Sequence, residues 1–243
     1  MTKKQEQLPI DQFFDWRDRF ITISSDVGNL LLGRYLFRET QTVIAHNRTL
    51  EGLFTRWIRI NYANSTILGI RRAVDTDKRA LSLANFLRDL IADPNVVTRQ
   101  LVLNQPVIEA RRRGKRHRRH GIRNDEVLQM ELRLLDQFYK TLATESRPDR
   151  LDLKLIGQDL TLIQRKAKKV ERFATKRLAH FDERGAARIK YTEIDDALDA
   201  FDLVIAKYST LFRRRWERGT TFEKLSPDWK EVFEVEWKRS GSL

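Results

Sequence analysis

The chain has 243 residues, and 41% of them are hydrophobic, including thirteen Phe and five Trp. This content is enough for a large buried core and excludes a globally disordered chain. The absence of cysteine excludes disulfides, thiolate metal ligands and cysteine nucleophiles, and the formal net charge of +13 favours a polyanionic partner.

The length suits one large domain, and we expect a single helical domain over residues 9–243 after a flexible N-terminus, residues 1–8. With only ten Gly and five Pro, short strands joined by tight turns are disfavoured, which predicts an all-α fold, an up-and-down helical bundle. No apolar run approaches the about 18 residues of a membrane span, and no signal sequence is evident. We therefore expect a cytoplasmic protein without a membrane partner.

One or two helices are predicted from residue 10 to residue 45. The next helix repeats apolar residues at helical spacing, namely Leu53, Trp57, Ile60, Ile67 and Val74. This spacing predicts a stripe that faces the core. Asn64 and Arg71 fall on the same stripe, and Asp75, one turn after Arg71, is a predicted partner for its charge.

A shorter helix follows, with Ser82 as N-cap and an end near Asp93, and another is expected to stop before Pro106. Residues 111–123, RRRGKRHRRHGIR, then contain eight basic residues and no acid: Arg111, Arg112, Arg113, Lys115, Arg116, Arg118, Arg119 and Arg123. We interpret this segment as a basic loop insertion that contacts the phosphates of nucleic acid. The other interpretation is a solvated loop or a localisation signal. His117 and His120 have no carboxylate nearby, so no metal site is predicted.

A helix is predicted from Asn124, and residues 144–150 break it. The clearest bundle helix follows, from Leu153 to about Phe181, with apolar residues at Ile156, Leu160, Ile163, Ala167, Val170 and Ala174. The next helix is predicted to begin with Thr192 and Asp195 in capping-box spacing. A last, aromatic-rich helix is predicted over residues 228–237.

His180 lies near the end of the clearest helix. At about 100° per residue it falls on a flank with Lys169 and Lys176, and Arg177 lies between that flank and the apolar stripe. Histidine titrates near neutrality and the cations can stabilise charge on a phosphate, so this flank is suited to metal-free RNA cleavage. The structural alternative is that these basic residues interact with the helix dipole.

The residues KRLAHFD, 176–182, resemble the signature of the HEPN superfamily, particularly its AbiU-type abortive-infection branch. In that branch a Lys-x-x-Ala-His-x-Asp pattern closes a long helix of an all-α bundle. Residues 67–91, ILGIRRAVDTDKRALSLANFLRDLI, resemble the branch's helix ending in Arg-x-x-Asp and the helix after it. Both stretches stand in the matching order.

The resemblance implies a metal-independent endoribonuclease of bacterial defence that acts on RNA as a homodimer, without a cofactor, and allows for an inhibitory partner protein. His180 matches the family's histidine, with Lys176 and Arg177 as candidate catalytic cations. Thr175, Ala174 and Phe173 occupy the positions of the family's arginine.

Supporting or structural roles are expected for Arg71, Asp75 and Asp182: Arg71 is expected to pair with Asp75 or Asp182, and the alternative is that it reaches the site from its own helix. Lys169 is expected to bind nucleic acid. The alternative to an enzyme is a non-catalytic module for RNA binding or protein interaction, which kept the bundle and lost the arginine.

Overall fold

The structure, a computed structural model, describes residues 3–46, 52–112, 125–179, 189–212 and 230. Within these ranges the chain is an all-α bundle, as predicted. Its seven α-helices are α1 Lys3–His46, α2 Leu53–Ala73, α3 Leu83–Ala92, α4 Arg99–Arg112, α5 Asp125–Leu142, α6 Leu153–Phe173 and α7 Tyr191–Ser209. A 3-10 turn, Pro94–Val96, precedes α4, and a π-helical segment, Ala174–Ala179, continues α6. None of the described helices combines the length and apolar character needed to cross a membrane.

The first helix is longer than predicted. α1 is one continuous helix, and it begins at Lys3, within the segment 1–8 for which the sequence suggested a flexible N-terminus. Between α5 and α6 the sequence indicated only a break, whereas the structure has an antiparallel hairpin of β1 Ala143–Thr144 and β2 Arg147–Leu151.

Helices α1 and α2 are antiparallel neighbours. Near the C-terminal end of α1, the ring of Phe37 stacks on that of Tyr62. Towards the N-terminal part of α1, Asp26 pairs with Arg72 at 3.1 Å. The residue order along the two helices is therefore reversed, so the C-terminal end of α1 lies beside the first half of α2.

Helix α7 is antiparallel to both α1 and α6. Arg34 of α1 pairs with Asp199 at 2.6 Å, while Phe20, earlier in α1, stacks on Phe212, just after α7. Lys169, near the end of α6, pairs with Glu193, near the start of α7. Because α6 also contacts α2, these four helices enclose the core.

An aromatic core lies towards the end of the bundle where α7 stops. Phe20 is completely buried, and its ring centroid lies 5.3 Å from that of Phe86 in α3 and 5.0 Å from that of Phe212. Phe13 and Trp16 extend this cluster along α1. Large buried rings contribute more apolar area than aliphatic side chains do, so this cluster anchors α1, α3 and α7 to one another.

Helix α4 does not stop before Pro106 but continues to Arg112, so that prediction was wrong. Proline has no N–H with which to bond the carbonyl one turn earlier, which belongs to Val102. The side-chain amide of Gln105 donates to that carbonyl oxygen at 3.1 Å, and to the carbonyl oxygen of Leu211 at 2.6 Å. This substitute hydrogen bond removes part of the cost of proline inside a helix.

N-caps were predicted for α3 and α7, and one of the two predictions is confirmed. Ser82 caps α3 as predicted, because its Oγ accepts from the backbone N–H of Asn85 at 3.0 Å. Helix α7 begins at Tyr191, and Glu193 closes the cap by accepting from the backbone N–H of Lys190 at 3.0 Å. The predicted capping box of Thr192 and Asp195 is therefore wrong.

The apolar stripe predicted for α2 faces the core only in the second half of the helix. Ile67 and Val74 are buried, but Leu53 is 84% exposed, Trp57 59% and Ile60 48%. In the first half, Thr55, Tyr62 and Ala63 turn towards the neighbouring helices instead. The prediction was wrong there because apolar spacing identifies a face without identifying what covers it.

Candidate functional site

Four chain segments meet at the bundle end opposite the aromatic core. They are the C-terminal end of α1, the first half of α2, the π-helical segment and the start of α7. Arg59 of α2 donates from Nε to Oε1 of Gln41 in α1 at 2.8 Å, and α2 also contacts the π-helical segment. We call this region the π end of the bundle.

The π-helical segment contains the first four residues of the KRLAHFD stretch. Ala174 is buried, whereas the side chain of Lys176 is exposed and forms no ion pair with any described residue. A π-helix bonds residues five apart and turns less per residue than an α-helix. The angular placement that put His180 on a basic flank therefore does not hold beyond Phe173.

Of the residues predicted for catalysis or its support, His180 and Asp182 lie outside the described part of the chain, and so does the side chain of Arg177. Ala179, in the π-helical segment, is the last described residue before them, and the described chain resumes at Ile189, two residues before α7. The first four residues of the motif thus lie in the π end, and the other three follow directly in the chain.

Lys169 is engaged in an ion pair. Its Nζ lies 2.7 Å from Oε1 of Glu193, and this hydrogen bond raises the pKa of Lys169 and lowers that of Glu193. Glu193 in turn closes the start of α7. A role for Lys169 in RNA binding would require this surface pair to open, which costs little because exposed ion pairs are weak.

Arg71 is not near the π end. It follows Tyr62 by nine residues, about 14 Å along α2 at the usual helical rise, towards the aromatic core. The predicted pair with Asp75 is not formed, and the Asp75 carboxylate instead accepts from the backbone N–H of Asp77 at 2.9 Å. Asp182, the other acid expected to pair with Arg71, lies outside the described residues.

The basic segment begins at the last turn of α4, which contains the backbone of Arg111 and Arg112; residues 113–124 lie outside the described chain. Gln105, about 10 Å before Arg112, bonds to Leu211 beyond α7. Leu211 is about 30 Å along that helix from Tyr191. The segment therefore starts well away from the π end.

No group of three potential metal ligands occurs among the described residues. The acids at the π end are paired with cations instead. Asp195 lies 3.0 Å from Arg38 and 3.9 Å from Arg34.

Sequence reasoning missed a surface in which aromatic and basic residues alternate. Helix α2 contains four arginines and no acid, and its Tyr62 stacks on Phe37 of α1 and packs near Tyr191 of α7. The available signal was the acid-free composition of residues 53–73. It was overlooked because the helix was interpreted through its apolar stripe, in which Trp57 was assigned to the core.

No protein-family model, curated protein or solved structure matches the chain.

Proposed function

We propose that the chain is a HEPN-like protein of bacterial defence that cleaves RNA without a metal ion. The observation that carries the proposal is the π-helical segment. It directly continues α6, the most regular bundle helix, and contains the first residues of the KRLAHFD motif. π-helical segments are rare in proteins, and many of those that occur lie at functional sites. The exposed Lys176 and the acid-free α2 beside it support a site for a polyanion.

The chemistry follows from the residue types. His180 takes the proton from the 2′-hydroxyl of RNA or gives one to the leaving oxygen, which histidine can do near neutral pH. Lys176 and Arg177 stabilise the charge that develops on the phosphate. The products are ends bearing a cyclic phosphate or a 3′-phosphate.

The test is incubation of the purified protein with single-stranded RNA in the presence of a metal chelator. We expect cleavage to persist at an undiminished rate and the products to carry cyclic phosphate or 3′-phosphate ends. Loss of cleavage in chelator, or products with 3′-hydroxyl ends, would contradict a metal-free mechanism. RNA binding without any cleavage would favour the second candidate, a non-catalytic RNA-binding module, which the missing family arginine supports.

The active form in this proposal is a homodimer, and the outer face of α2 supplies a surface for it. Leu53, Trp57 and Ile60 lie on that face and are exposed, and Leu68 continues it. An apolar stripe of this kind on a monomer commonly marks an interaction site.

For the dimer, we expect sedimentation equilibrium of the wild type to give twice the mass of the chain and Trp57→Glu to give the mass of one chain. Trp57 is exposed, so the variant should remain folded. Leu203→Glu places the same charge at an exposed apolar position of α7 and should leave the mass unchanged. A monomeric wild type would remove the dimer from the proposal.

A further inference from the structure

Three aromatic rings from three helices pack together at the π end, with Tyr191 beside the stacked pair of Phe37 and Tyr62. The rings of Phe37 and Tyr62 are nearly parallel, with an interplanar angle of 7° and centroids 4.0 Å apart. The ring of Tyr191 lies 5.3 Å from that of Phe37 and 6.2 Å from that of Tyr62, at angles of 32° and 25°. We call these three residues the aromatic stack.

Solvent reaches the aromatic stack mainly through Tyr191, which is 44% exposed. Phe37 and Tyr62 are partly buried, and burial, reinforced by the charge of Asp195, raises the pKa of Tyr62 to about 12. Phe37 and Tyr62 therefore form a neutral, apolar support that fixes the orientation of the neighbouring Tyr191 ring. A further flat ring could pack on the exposed side of Tyr191.

A cation stands beside the aromatic stack. The guanidinium of Arg59 is close enough to influence the ionisation of Tyr191, and its Nε is oriented by Oε1 of Gln41 at 2.8 Å. Arg59 is exposed and pairs with no carboxylate among the described residues. Asp195, whose charge acts on Tyr62, is itself paired with Arg34 and Arg38. The remaining charge beside Tyr191 is positive.

We propose that the aromatic stack and Arg59 form a binding site for single-stranded RNA, in which an unpaired base stacks on Tyr191 and Arg59 binds the adjacent phosphate. Aromatic side chains bind bases in this way because every base has a flat π face, and an arginine beside them adds attraction to the backbone. Bases inside a duplex already stack on one another, so the site selects single strands. The inference rests on the RNA-binding part of the proposed function and is independent of catalysis.

The experiment measures binding of a short, labelled single-stranded RNA by fluorescence anisotropy, in chelator, with His180→Ala present in every variant so that the RNA stays intact. We expect Tyr191→Ala to weaken binding by about 5- to 150-fold, which is the loss of one stacked base. Tyr191→Phe keeps the ring and should bind within about twofold of the parent. Binding of duplex RNA should respond to neither change, because it depends on charge alone.

The matched control is Leu203→Ala, which removes a side chain of similar exposure, 42%, from the same helix. It should bind single strands like the parent. Equal binding by Tyr191→Ala and the parent overturns the stacking site while leaving RNA binding intact. Failure of the parent to bind any RNA overturns the proposed function as well. The aromatic stack would then be a candidate site for a protein partner. Circular dichroism of each variant shows whether α7 remains helical.

Discussion

Replacing His180 by alanine is expected to reduce RNA cleavage in chelator by about 10²- to 10⁴-fold, the usual contribution of one general acid or base. The affinity for RNA should change little, because the lysines and arginines supply the attraction to phosphate. A gel-based cleavage assay at saturating protein, combined with an anisotropy measurement of binding, separates the two quantities. Unchanged cleavage by His180→Ala removes the catalytic assignment.

His46 provides the matched control for this experiment. It is an exposed histidine in the last turn of α1, also at the π end, where its Nδ1 lies 2.7 Å from the carbonyl oxygen of Thr42. We expect His46→Ala to cleave RNA at the wild-type rate. If His46→Ala lost activity and His180→Ala kept it, the acid or base would belong to α1, and the resemblance of KRLAHFD to the HEPN signature would be coincidental.

The second large effect is expected on stability, at Asp159 near the start of α6. This carboxylate is 7% exposed and joins α6 to α7. It accepts from Nζ of Lys207 at 2.7 and 2.9 Å and from the hydroxyl of Tyr208 at 2.8 Å. Burial, with the negative charge of Asp159 beside it, raises the pKa of Tyr208, so the phenol keeps the proton that it donates.

Replacing Asp159 by alanine should lower the free energy of unfolding by about 2–4 kcal/mol. The change leaves the ammonium of Lys207 half-buried without a partner and the buried hydroxyl of Tyr208 without an acceptor, and each costs desolvation energy. Urea denaturation followed by circular dichroism measures the difference. Asp159→Leu combined with Lys207→Met should recover part of the loss, because an apolar pair carries no unpaired charge.

The control for this loss is Asp196→Ala, which removes another ion pair between the same two helices. Asp196 lies 2.9 Å from Lys166, but both side chains are exposed. Exposed pairs contribute little, so the expected loss is below about 1 kcal/mol. Equal losses for the two variants would mean that the burial of Asp159 does not determine its contribution.

The positions of most helices could be predicted from the sequence because apolar spacing and capping residues act locally. Ile156, Ile163, Ala167 and Val170 were placed in the core of α6 by spacing alone, and all four are buried there. Ser82 was recognised as a cap for the same reason, since its hydrogen bond spans only three residues.

The errors arose where distant parts of the chain decide the outcome. Helix α4 continues through Pro106 because Gln105 also bonds to Leu211, which is over a hundred residues away in the sequence. The stripe of Leu53, Trp57 and Ile60 looks like a core face until the position of α1 shows that no described helix covers it. The aromatic stack could not be predicted either, because its three rings come from three different helices.

The separation between the aromatic core and the π end has a consequence for how such a protein can change. Phe20 and Phe37 stand about 25 Å apart along α1, so substitutions near one residue have no neighbours in common with substitutions near the other. Effects at that separation add independently. Substitutions that alter the surface of the π end can therefore accumulate while heat tolerance is adjusted at the other end, and a lineage need not exchange one for the other.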